Sequence, residues 1–528
     1  MKKLVSLTAL LFLASATAFP LHAQTQGQGP RKSFDEFRRG ILNDFSDFRS
    51  TIIDHYYDFL NGEWHEYESL NGEKRYTKPK PQTAPKAPSI PRKPNKKDDP
   101  VSVTPQEPVS RPERPKRTVK PEKPETPKEE PVVRRPAMPE QQPVDADKAP
   151  DAPKQPSRPS AASVDQFSFF ELPMQFPQIE FNIRNRLTAP ADYAAQWKEL
   201  DKSGTASALL PQVRKVVKDT GLNDYLTFQL IKAYIDSKFP YADASSKMSA
   251  VHFFLANLGY DARIAMTASG VPLLLLPTSQ TIYARNYMMM PGGAGKYYVF
   301  GPDGYDLARM SGEKILTYSL PADAAKGKRF DMKLGPLNIP VKPKSFEFAH
   351  GPLRLTGEVN ENLMPILYRY PQIPVGDYAA SELDPALRRS LVEQVRSQLG
   401  EMDGDKAVAE LLGFMHNVFQ YATDEDFHGF EKPYFLEETL YYPKNDCEDR
   451  AIFYTYFLWN ALGREAQLIS FPGHEAATVR MDNPIDGTSY TYGTDTFYIS
   501  DPTYLGSQTG MVMPMYRTET PKVDYTYK

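Results

Sequence analysis

The segment Asn445-Asp446-Cys447-Glu448-Asp449-Arg450-Ala451 decides the fold of this chain, because it contains the single cysteine of 528 residues and opens a long apolar run. Residues 452–458, which follow it, are apolar and aromatic and predict a helix that begins close to the cysteine. A lone thiol either packs as a small apolar residue or reacts. At the start of a helix the unpaired amide groups favour the thiolate, so we expect Cys447 to be reactive.

Two downstream segments supply the other side chains that thiol chemistry needs. His474 lies in Phe471-Pro472-Gly473-His474-Glu475-Ala476, and Asp501 lies in Tyr498-Ile499-Ser500-Asp501-Pro502-Thr503. The order Cys, His, Asp along the chain fits an acyl-transfer triad. In such a triad the histidine takes the thiol proton, and the aspartate fixes the orientation and tautomer of the imidazole. We therefore predict that Cys447, His474 and Asp501 are catalytic.

The acidic neighbours of the cysteine oppose this chemistry. Asp446, Glu448 and Asp449 would disfavour a thiolate if all three faced the sulfur. Successive positions of a helix point in different directions, so we expect that they do not all face it. His474 should then supply most of the activation, and the backbone N–H of Cys447 should stabilise the developing oxyanion.

Together these segments resemble the core of the transglutaminase-like superfamily. The resemblance rests on Asp446-Cys447-Glu448-Asp449-Arg450-Ala451, a helix ending at Leu462-Gly463, the segment Pro472-Gly473-His474, and Asp501-Pro502-Thr503. It covers residues 405–510 and implies a papain-like α+β fold, in which the cysteine heads a helix packed on an antiparallel sheet that carries the histidine and the aspartate. It also implies an exported bacterial member of a family that includes crosslinking transamidases, cysteine peptidases, other amidases and inactive relatives.

Two features depart from that family. His474 is followed by Glu475-Ala476-Ala477 and lacks the aromatic residue often found nearby, and 27 residues separate it from Asp501, which is longer than usual. The turn signal Asn-Pro-Ile-Asp-Gly at 483–487 predicts an inserted hairpin that absorbs the difference. Asp482 and Asp495 remain weaker candidates for the aspartate. Gln420 is a candidate for the side chain that supports the oxyanion upstream of the cysteine in the family.

Two other histidines lie near these segments. His416 falls inside an apolar helical face and is better explained as a core histidine than as a catalyst. His428 lies in a polar loop and is a weaker candidate for substrate binding. The sequence contains no cysteine pair, no His-Glu-x-x-His pattern and no calcium-loop pattern, so we predict neither a metal nor a cofactor.

The first 23 residues predict a signal peptide. Lys2 and Lys3 precede an apolar run over residues 4–18, and a small residue, Ala23, ends the segment. Such a leader predicts a secreted or periplasmic protein. No later stretch contains the roughly 20 apolar residues that span a bilayer, so we predict no membrane span. Loss of the two lysines takes the formal net charge from −3 to about −5, which argues against a nucleic-acid partner.

Residues 24–76 predict an amphipathic helical segment. Between residues 33 and 60, apolar side chains recur with helical spacing, and their eleven-residue repeat favours a slightly right-handed, coiled-coil-like stripe. They are Phe34, Phe37, Ile41, Phe45, Phe48, Ile52, Tyr56 and Phe59. We expect the stripe to pack on the protein's own body or to self-associate, and a docking helix for a protein partner is the alternative.

Residues 77–165 predict a disordered linker. Prolines recur every few residues between charged ones, and no aromatic residue occurs between Tyr76 and Phe167. A segment of this composition cannot bury a core, so we expect a semi-stiff, polyproline-like tether.

The rest of the chain contains a weak internal repeat. The helix, glycine and strand around Gly463 are echoed around Gly259, and residues 297–302 echo residues 497–502. In the earlier segment Asp243 stands in place of the cysteine and Gly301 in place of Asp501.

Three segments follow from this pattern. We predict an α/β domain at 166–327 that is an inactive copy of the same fold, a β-rich bridging segment at 328–380, and a transglutaminase-like catalytic domain at 381–528. Within the last domain, residues 385–399 and 405–418 should be helical.

Two functions of different classes fit these observations. The first is an exported thiol hydrolase or acyltransferase that acts on amide bonds of a protein or peptide substrate through Cys447. The second is a catalytically inert binding or scaffold protein that presents the same fold on a long tether. The reactivity of the Cys447 thiol distinguishes the two.

Overall fold

The computed structural model describes residues 56–75, 80–88, 163–290, 295–310, 312–319 and 327–528. The predicted signal peptide at 1–23, most of the predicted helix at 33–60 and most of the predicted linker at 77–165 lie outside these residues.

The described residues form helices and strands in the following order. The helices are α1 (Pro190–Lys202), α2 (Thr205–Thr220), α3 (Asp224–Lys238), α4 (Ala244–Asn257), α5 (Met364–Tyr368), α6 (Val375–Ala379), α7 (Pro385–Leu399), α8 (Gly404–Val418), α9 (Asp424–Phe427), α10 (Leu436–Tyr441) and α11 (Cys447–Asn460). The strands are β1 (Trp64–Glu68), β2 (Val164–Phe169), β3 (Leu172–Pro177), β4 (Arg263–Thr267), β5 (Pro272–Pro277), β6 (Tyr287–Met289), β7 (Lys296–Phe300), β8 (Lys314–Tyr318), β9 (Pro343–His350), β10 (Leu353–Asn360), β11 (Gln420–Tyr421), β12 (Lys444–Asn445), β13 (Ala466–Phe471), β14 (His474–Val479), β15 (Ser489–Tyr492), β16 (Asp495–Ile499) and β17 (Lys522–Tyr527).

Two antiparallel sheets organise the described residues. The first has six strands in the order β1-β8-β4-β5-β7-β6, and the second has five in the order β15-β16-β14-β13-β17. The predicted α+β class is confirmed. The prediction of an α/β unit at 166–327 is wrong, since every pairing of its main sheet is antiparallel and none of its strands needs a crossover helix.

The two sheets share one order of strands. The series β8-β4-β5-β7-β6 in the first sheet corresponds to β17-β13-β14-β16-β15 in the second. A helix of 14 residues precedes each series, α4 in the first and α11 in the second, and a glycine with positive φ follows each helix. The helices begin at Ala244 and Cys447, so Asp243 corresponds to the residue before the cysteine rather than to the cysteine itself.

Helix α11 is buried on all sides, which explains why its sequence is apolar nearly all round. It packs on β13 and β14 with one face and against α6, α7, α8 and α10 with the others. Every residue of α11 from Cys447 to Leu458 is buried. This packing fixes the direction in which the first turn of the helix, and therefore the cysteine, points.

Within the predicted bridging segment at 328–380, the structure has the hairpin β9–β10, which is followed by the short helices α5 and α6. The two predicted helices of the last domain are confirmed as α7 and α8. The inserted hairpin is also present as β15–β16, but its turn lies at residues 493–494 rather than at 483–487. Within the described ranges no helix is both long enough and apolar enough to cross a bilayer.

The N-terminal predictions need correction. Residues 56–61 are helical, but Trp64–Glu68 forms β1 at the edge of the first sheet, so the segment 24–76 is not helical throughout. Tyr56 is 7 % exposed and its ring stacks on that of Trp197 at a centroid distance of 5.1 Å. The last turn of the predicted amphipathic helix therefore packs on the protein's own body.

The limits predicted for the linker are also wrong. Residues 80–87 belong to the same compact unit as residues 163–528, and Val164–Phe169 is a strand. Proline-rich composition excluded a hydrophobic core for this segment, but it did not exclude polar and backbone contacts with a neighbouring surface.

Candidate active site

Cys447 is the first residue of α11, as the sequence predicts, and it has no exposed surface. Its thiol donates a hydrogen bond to Glu448 Oε2 at 3.1 Å, and Sγ accepts one from the backbone N–H of Glu475 at 3.5 Å. The second contact places the sulfur beside the first residues of β14, where His474 lies.

His474 and Asp501 are brought together. His474 Nε2 lies 2.8 Å from Asp501 Oδ2, and both residues are buried. Because an ionised carboxylate only accepts, Nε2–H is the donor and Nδ1 is left as the basic nitrogen. Nδ1 is buried and has no hydrogen-bond partner among the described residues. The imidazole is therefore oriented by the aspartate and retains a nitrogen that can take a proton.

Two neighbours hold this pair in place. The ring of Tyr516 stacks on that of His474, with centroids 5.5 Å apart and an interplanar angle of 5°. Asp501 Oδ1 accepts hydrogen bonds from the backbone N–H groups of Thr503 at 2.8 Å and Tyr504 at 3.3 Å. The Asp-Pro-Thr segment thus forms a turn that fixes its own carboxylate.

The other aspartate candidates lie elsewhere. Asp482 is exposed and pairs with both terminal nitrogens of Arg464, and Asp495 Oδ1 lies 3.8 Å from Arg480 Nη2. Asp501 is the candidate that the structure brings to His474.

His416 lies beside the loop that carries Asp501. Its Nε2 is 3.0 Å from the backbone oxygen of Asp501, and its Nδ1 accepts a hydrogen bond from Gly506 N–H at 3.3 Å. Burial lowers the pKa of His416, which favours the neutral ring that this pattern requires. Its position agrees with a structural histidine that supports the Asp501 loop.

His428 and Gln420 do not reach the sulfur. His428 hydrogen-bonds to Tyr434 Oη within a group of aromatic rings, and burial, with a smaller effect of Lys432, lowers its pKa to about 4. Gln420 is exposed, and the residue beside it, Tyr421, faces the site instead. Burial raises the pKa of Tyr421, and Cys447 is the largest electrostatic contributor to that rise.

As expected, the three acidic neighbours do not all face the sulfur, but two of them, Asp446 and Glu448, lie close enough to act on it. Burial raises the pKa of the Cys447 thiol well above its ordinary value, and the nearby carboxylates of Glu448 and Asp446 raise it further. Asp449 faces away and accepts hydrogen bonds from the backbone N–H groups of Tyr434 at 2.8 Å and Asp446 at 3.3 Å. Asp446 precedes the helix and Glu448 is long, so both can turn towards Sγ.

Two cations enter the site, Arg75 from just before the predicted linker and Lys80 from its first residues, and no sequence pattern predicts either. Lys80 Nζ lies 2.6 Å from Glu448 Oε1 and 2.8 Å from Asp446 Oδ2. Arg75 Nη1 lies 3.6 Å from Glu448 Oε1, and Arg75 Nη2 lies 3.8 Å from Glu475 Oε2. Although burial opposes ionisation of Glu448, Lys80 and Arg75 lower its pKa below the ordinary value. In a stretch where prolines and charged residues alternate, one lysine is not distinguishable from the next.

The carboxylates around Lys80 are close enough together to hold a cation. Three groups have ligand atoms within 4.8 Å of one another: Asp446 with Cys447 and Glu448, Asp424 with Glu431 and Glu448, and Asp424 with Asp446 and Asp449. The ammonium group of Lys80 lies among them, so a positive charge of the chain itself fills this position.

A small cavity adjoins the site, and a larger one lies far from it in the fold. The small cavity, about 130 Å³, is lined by Arg75, Gly473, Glu475 and Asp524, among others. The larger cavity, about 560 Å³, lies at β7 and α3 and contains none of the three predicted catalytic residues. Size alone does not identify the reactive site, because the thiol is the only one in the chain.

The chain was compared with known proteins. It matches no protein-family model and no curated protein.

Proposed function

We propose that this protein is an exported, thiol-dependent amide hydrolase or acyltransferase of the transglutaminase-like kind, in which Cys447, His474 and Asp501 form the catalytic triad. The observation that carries the proposal is the buried pair of His474 and Asp501, 2.8 Å apart, whose free Nδ1 lies on the strand that contacts the Cys447 sulfur. A buried polar nitrogen without a hydrogen-bond partner destabilises the fold, and a role in proton transfer explains why it is kept.

Each residue of the proposed triad has one role in the cleavage of an amide bond. His474 Nδ1 takes the proton of the Cys447 thiol, and the sulfur attacks the carbonyl carbon of an amide. Asp501 stabilises the imidazolium, which then gives its proton to the leaving amine as the C–N bond breaks. Water or a second amine attacks the thioester that remains, and the thiol is regenerated. Both outcomes use the same side chains, so the geometry supports hydrolysis and acyl transfer alike.

The matching strand orders of the two sheets support a duplicated fold. Ala244 begins the helix that corresponds to α11, and Pro272 begins the strand that corresponds to β14. Neither side chain has acid–base or nucleophilic chemistry. The first copy would therefore be inactive and would serve the second as a packing partner. The charged start and apolar run of residues 1–23 support a secreted or periplasmic location.

A peptide library mixed with a labelled primary amine tests the activity. Mass spectrometry should detect cleaved peptides or peptides that carry the amine with the wild-type protein, and neither with Cys447→Ala or His474→Ala. Measurable product that is equal for the wild-type and Cys447→Ala proteins would exclude a thiol mechanism.

An inert binding or scaffold protein is the second candidate, and one observation favours it. The thiol is fully buried, its pKa is raised by burial and two carboxylates, and it donates to Glu448 rather than to His474. If this arrangement persists in solution, Cys447 should react with alkylating reagents no faster than a model thiol under any condition in which the protein stays folded.

A further inference from the structure

Residues 80–87, which we call the strap, lie against the candidate active site. The Lys80 side chain is 4 % exposed and its ammonium group contacts a set of carboxylates that we call the acidic pocket. The acidic pocket consists of Glu448 at 2.6 Å, Asp446 at 2.8 Å, Glu431 at 3.0 Å and Asp424 at 3.8 Å from Lys80 Nζ. Two of these residues, Asp446 and Glu448, flank the catalytic cysteine in sequence.

One carboxylate of the acidic pocket, Glu448, is an anion beside positive charge, because, although burial opposes ionisation, Lys80 and Arg75 lower its pKa. Burial, followed by repulsion from neighbouring carboxylates, raises the pKa of both Asp446 and Asp424. The nearby ammonium of Lys432 is directed to Glu438 at 2.8 Å, which is outside the pocket. Buried carboxylates that lose their cation are strongly destabilised, so a group that displaces Lys80 must replace its charge.

The backbone of the strap is held on both sides of a bend at Gln82 and Thr83. Tyr421 Oη donates to the carbonyl oxygen of Pro81 at 2.8 Å. Further along, Leu505 N–H donates to Pro85 O at 2.9 Å, and Ala87 N–H donates to Leu505 O at 2.8 Å, which makes a parallel bridge. Leu505 follows Asp501 by four residues, so the strap runs from the cysteine end of the triad to the aspartate end.

This geometry is that of a peptide in a binding groove. Hydrogen bonds hold the backbone of the segment at Pro81 and at residues 85–87, and one side chain enters a pocket of complementary charge. The Ala87 side chain packs against an apolar cluster that includes Tyr504 and Tyr516, and Tyr516 stacks on His474. Cys447 and His474 have no exposed surface in this state, so another peptide can reach them only after a rearrangement at the site.

We propose that the acidic pocket is a binding site for the ammonium group of a lysine in a peptide, and that the strap occupies the substrate groove as an intramolecular stand-in for that peptide. The proposal rests on the proposed function, since it names the substrate class of the same site. An attached strap has an effective concentration in the millimolar range, so a free peptide competes poorly until the strap is weakened.

Alkylation of the single cysteine, read by whole-protein mass spectrometry, tests the proposal in the full chain. Lys80→Met should be alkylated by chloroacetamide at least about tenfold faster than the wild type, because loss of the ammonium releases the strap. Lys86→Met is the matched control. Lys86 is exposed on the same strap and its side chain lies outside the acidic pocket, so this variant should react at the wild-type rate.

A peptide added in trans then tests the pocket itself. The acetylated peptide Lys-Pro-Gln-Thr-Ala-Pro-Lys-Ala should slow the alkylation of Lys80→Met in a saturable manner. The same peptide with norleucine in the first position should leave the rate unchanged. Equal protection by both peptides would overturn the ammonium site, and so would protection by Mg²⁺ or Ca²⁺ alone without protection by the lysine peptide.

A second variant covers the outcome in which Lys80→Met does not fold. Ala87→Asp leaves the acidic pocket intact and puts a charge into the apolar end of the strap contact, so it should also accelerate alkylation. If Cys447 is alkylated at the wild-type rate in every folded variant, the strap does not limit access to the thiol and the proposal is wrong. The alkylation assay measures access to Cys447 and requires no catalysis. A protein without amidase activity can therefore still show protection by the lysine peptide, and an active amidase can still show equal protection by the lysine and norleucine peptides.

Discussion

Cys447 is held as a thiol in the state described. Burial, followed by the carboxylates of Glu448 and Asp446, raises the pKa of the thiol. Lys80 and Arg75 keep Glu448 ionised, and Glu448 accepts a hydrogen bond from the thiol. A raised thiol pKa stabilises the fold at low pH, and that stability is lost as the pH rises above the ordinary thiol value, because the unfolded chain loses its proton first. A reactive thiolate therefore requires a rearrangement around Glu448.

Glu448→Gln should make the thiol more reactive. The substitution removes the carboxylate nearest the sulfur and lowers the thiol pKa, so chloroacetamide alkylation at pH 7 should accelerate at least about threefold. Glu431→Gln is the control. Glu431 also contacts Lys80, but it is not among the main groups that raise the thiol pKa. The same rate for all three proteins would show that Glu448 does not set the thiol pKa.

The start of helix α11 depends on Asp449, which accepts hydrogen bonds from two backbone N–H groups and has no exposed surface. Burial, followed by Glu448, raises the pKa of Asp449 to about 8, so the side chain is largely protonated at neutral pH. Its contribution at pH 7 is then that of a hydrogen-bond acceptor and not that of a charge.

Two substitutions separate these contributions. Asp449→Ala leaves the N–H groups of Asp446 and Tyr434 unsatisfied and should lower the free energy of unfolding by about 2–3 kcal/mol. Asp449→Asn keeps an acceptor oxygen for only one of these two N–H groups, because its amide NH2 stands where the other oxygen accepts, so it should cost about half as much, roughly 1–1.5 kcal/mol. Urea unfolding at pH 7 measures both, and equal losses in the two variants would contradict a neutral acceptor role.

The helix, the strand and the turn that carry Cys447, His474 and Asp501 could be predicted because each has a local signal. An apolar run after Cys447 indicates a helix, and Asp-Pro-Thr indicates a turn. The role of Lys80 could not be predicted, because its partners lie more than 340 residues away and polar contacts leave no periodic pattern in a proline-rich segment. The same reason explains the missed Tyr421, whose hydroxyl is bound by Pro81 O.

Across the whole molecule, the repeat was visible in sequence as a few matched landmarks, and the strand orders of the two sheets agree with it. The class of the first unit was mistaken because helix–glycine–strand patterns occur in both parallel and antiparallel arrangements.

A buried histidine in the first unit should make the stability of the protein depend on pH. His252 is fully buried, and desolvation, with a smaller effect of Arg263, lowers its pKa to about 3.

Acid should destabilise the protein through His252. The unfolded histidine binds a proton below about pH 6.5 and the folded one does not until about pH 3, so stability falls as the pH falls through this window. His252→Gln can still donate to Ala262 O and does not titrate. The difference in the free energy of unfolding between the two proteins should change by about 2 kcal/mol between pH 7 and pH 5, with the wild type losing more. Parallel pH profiles in urea unfolding would rule this out.

The pH dependence of Cys447 alkylation in Lys80→Met, with and without His474→Asn, tests the catalytic assignment most directly. The account predicts that the displaced strap exposes a thiol whose rate at pH 6–7 depends on His474, and that the double variant reacts more slowly throughout that range. If the two proteins give the same profile, the imidazole does not act on the sulfur, and the three residues are neighbours without a shared reaction.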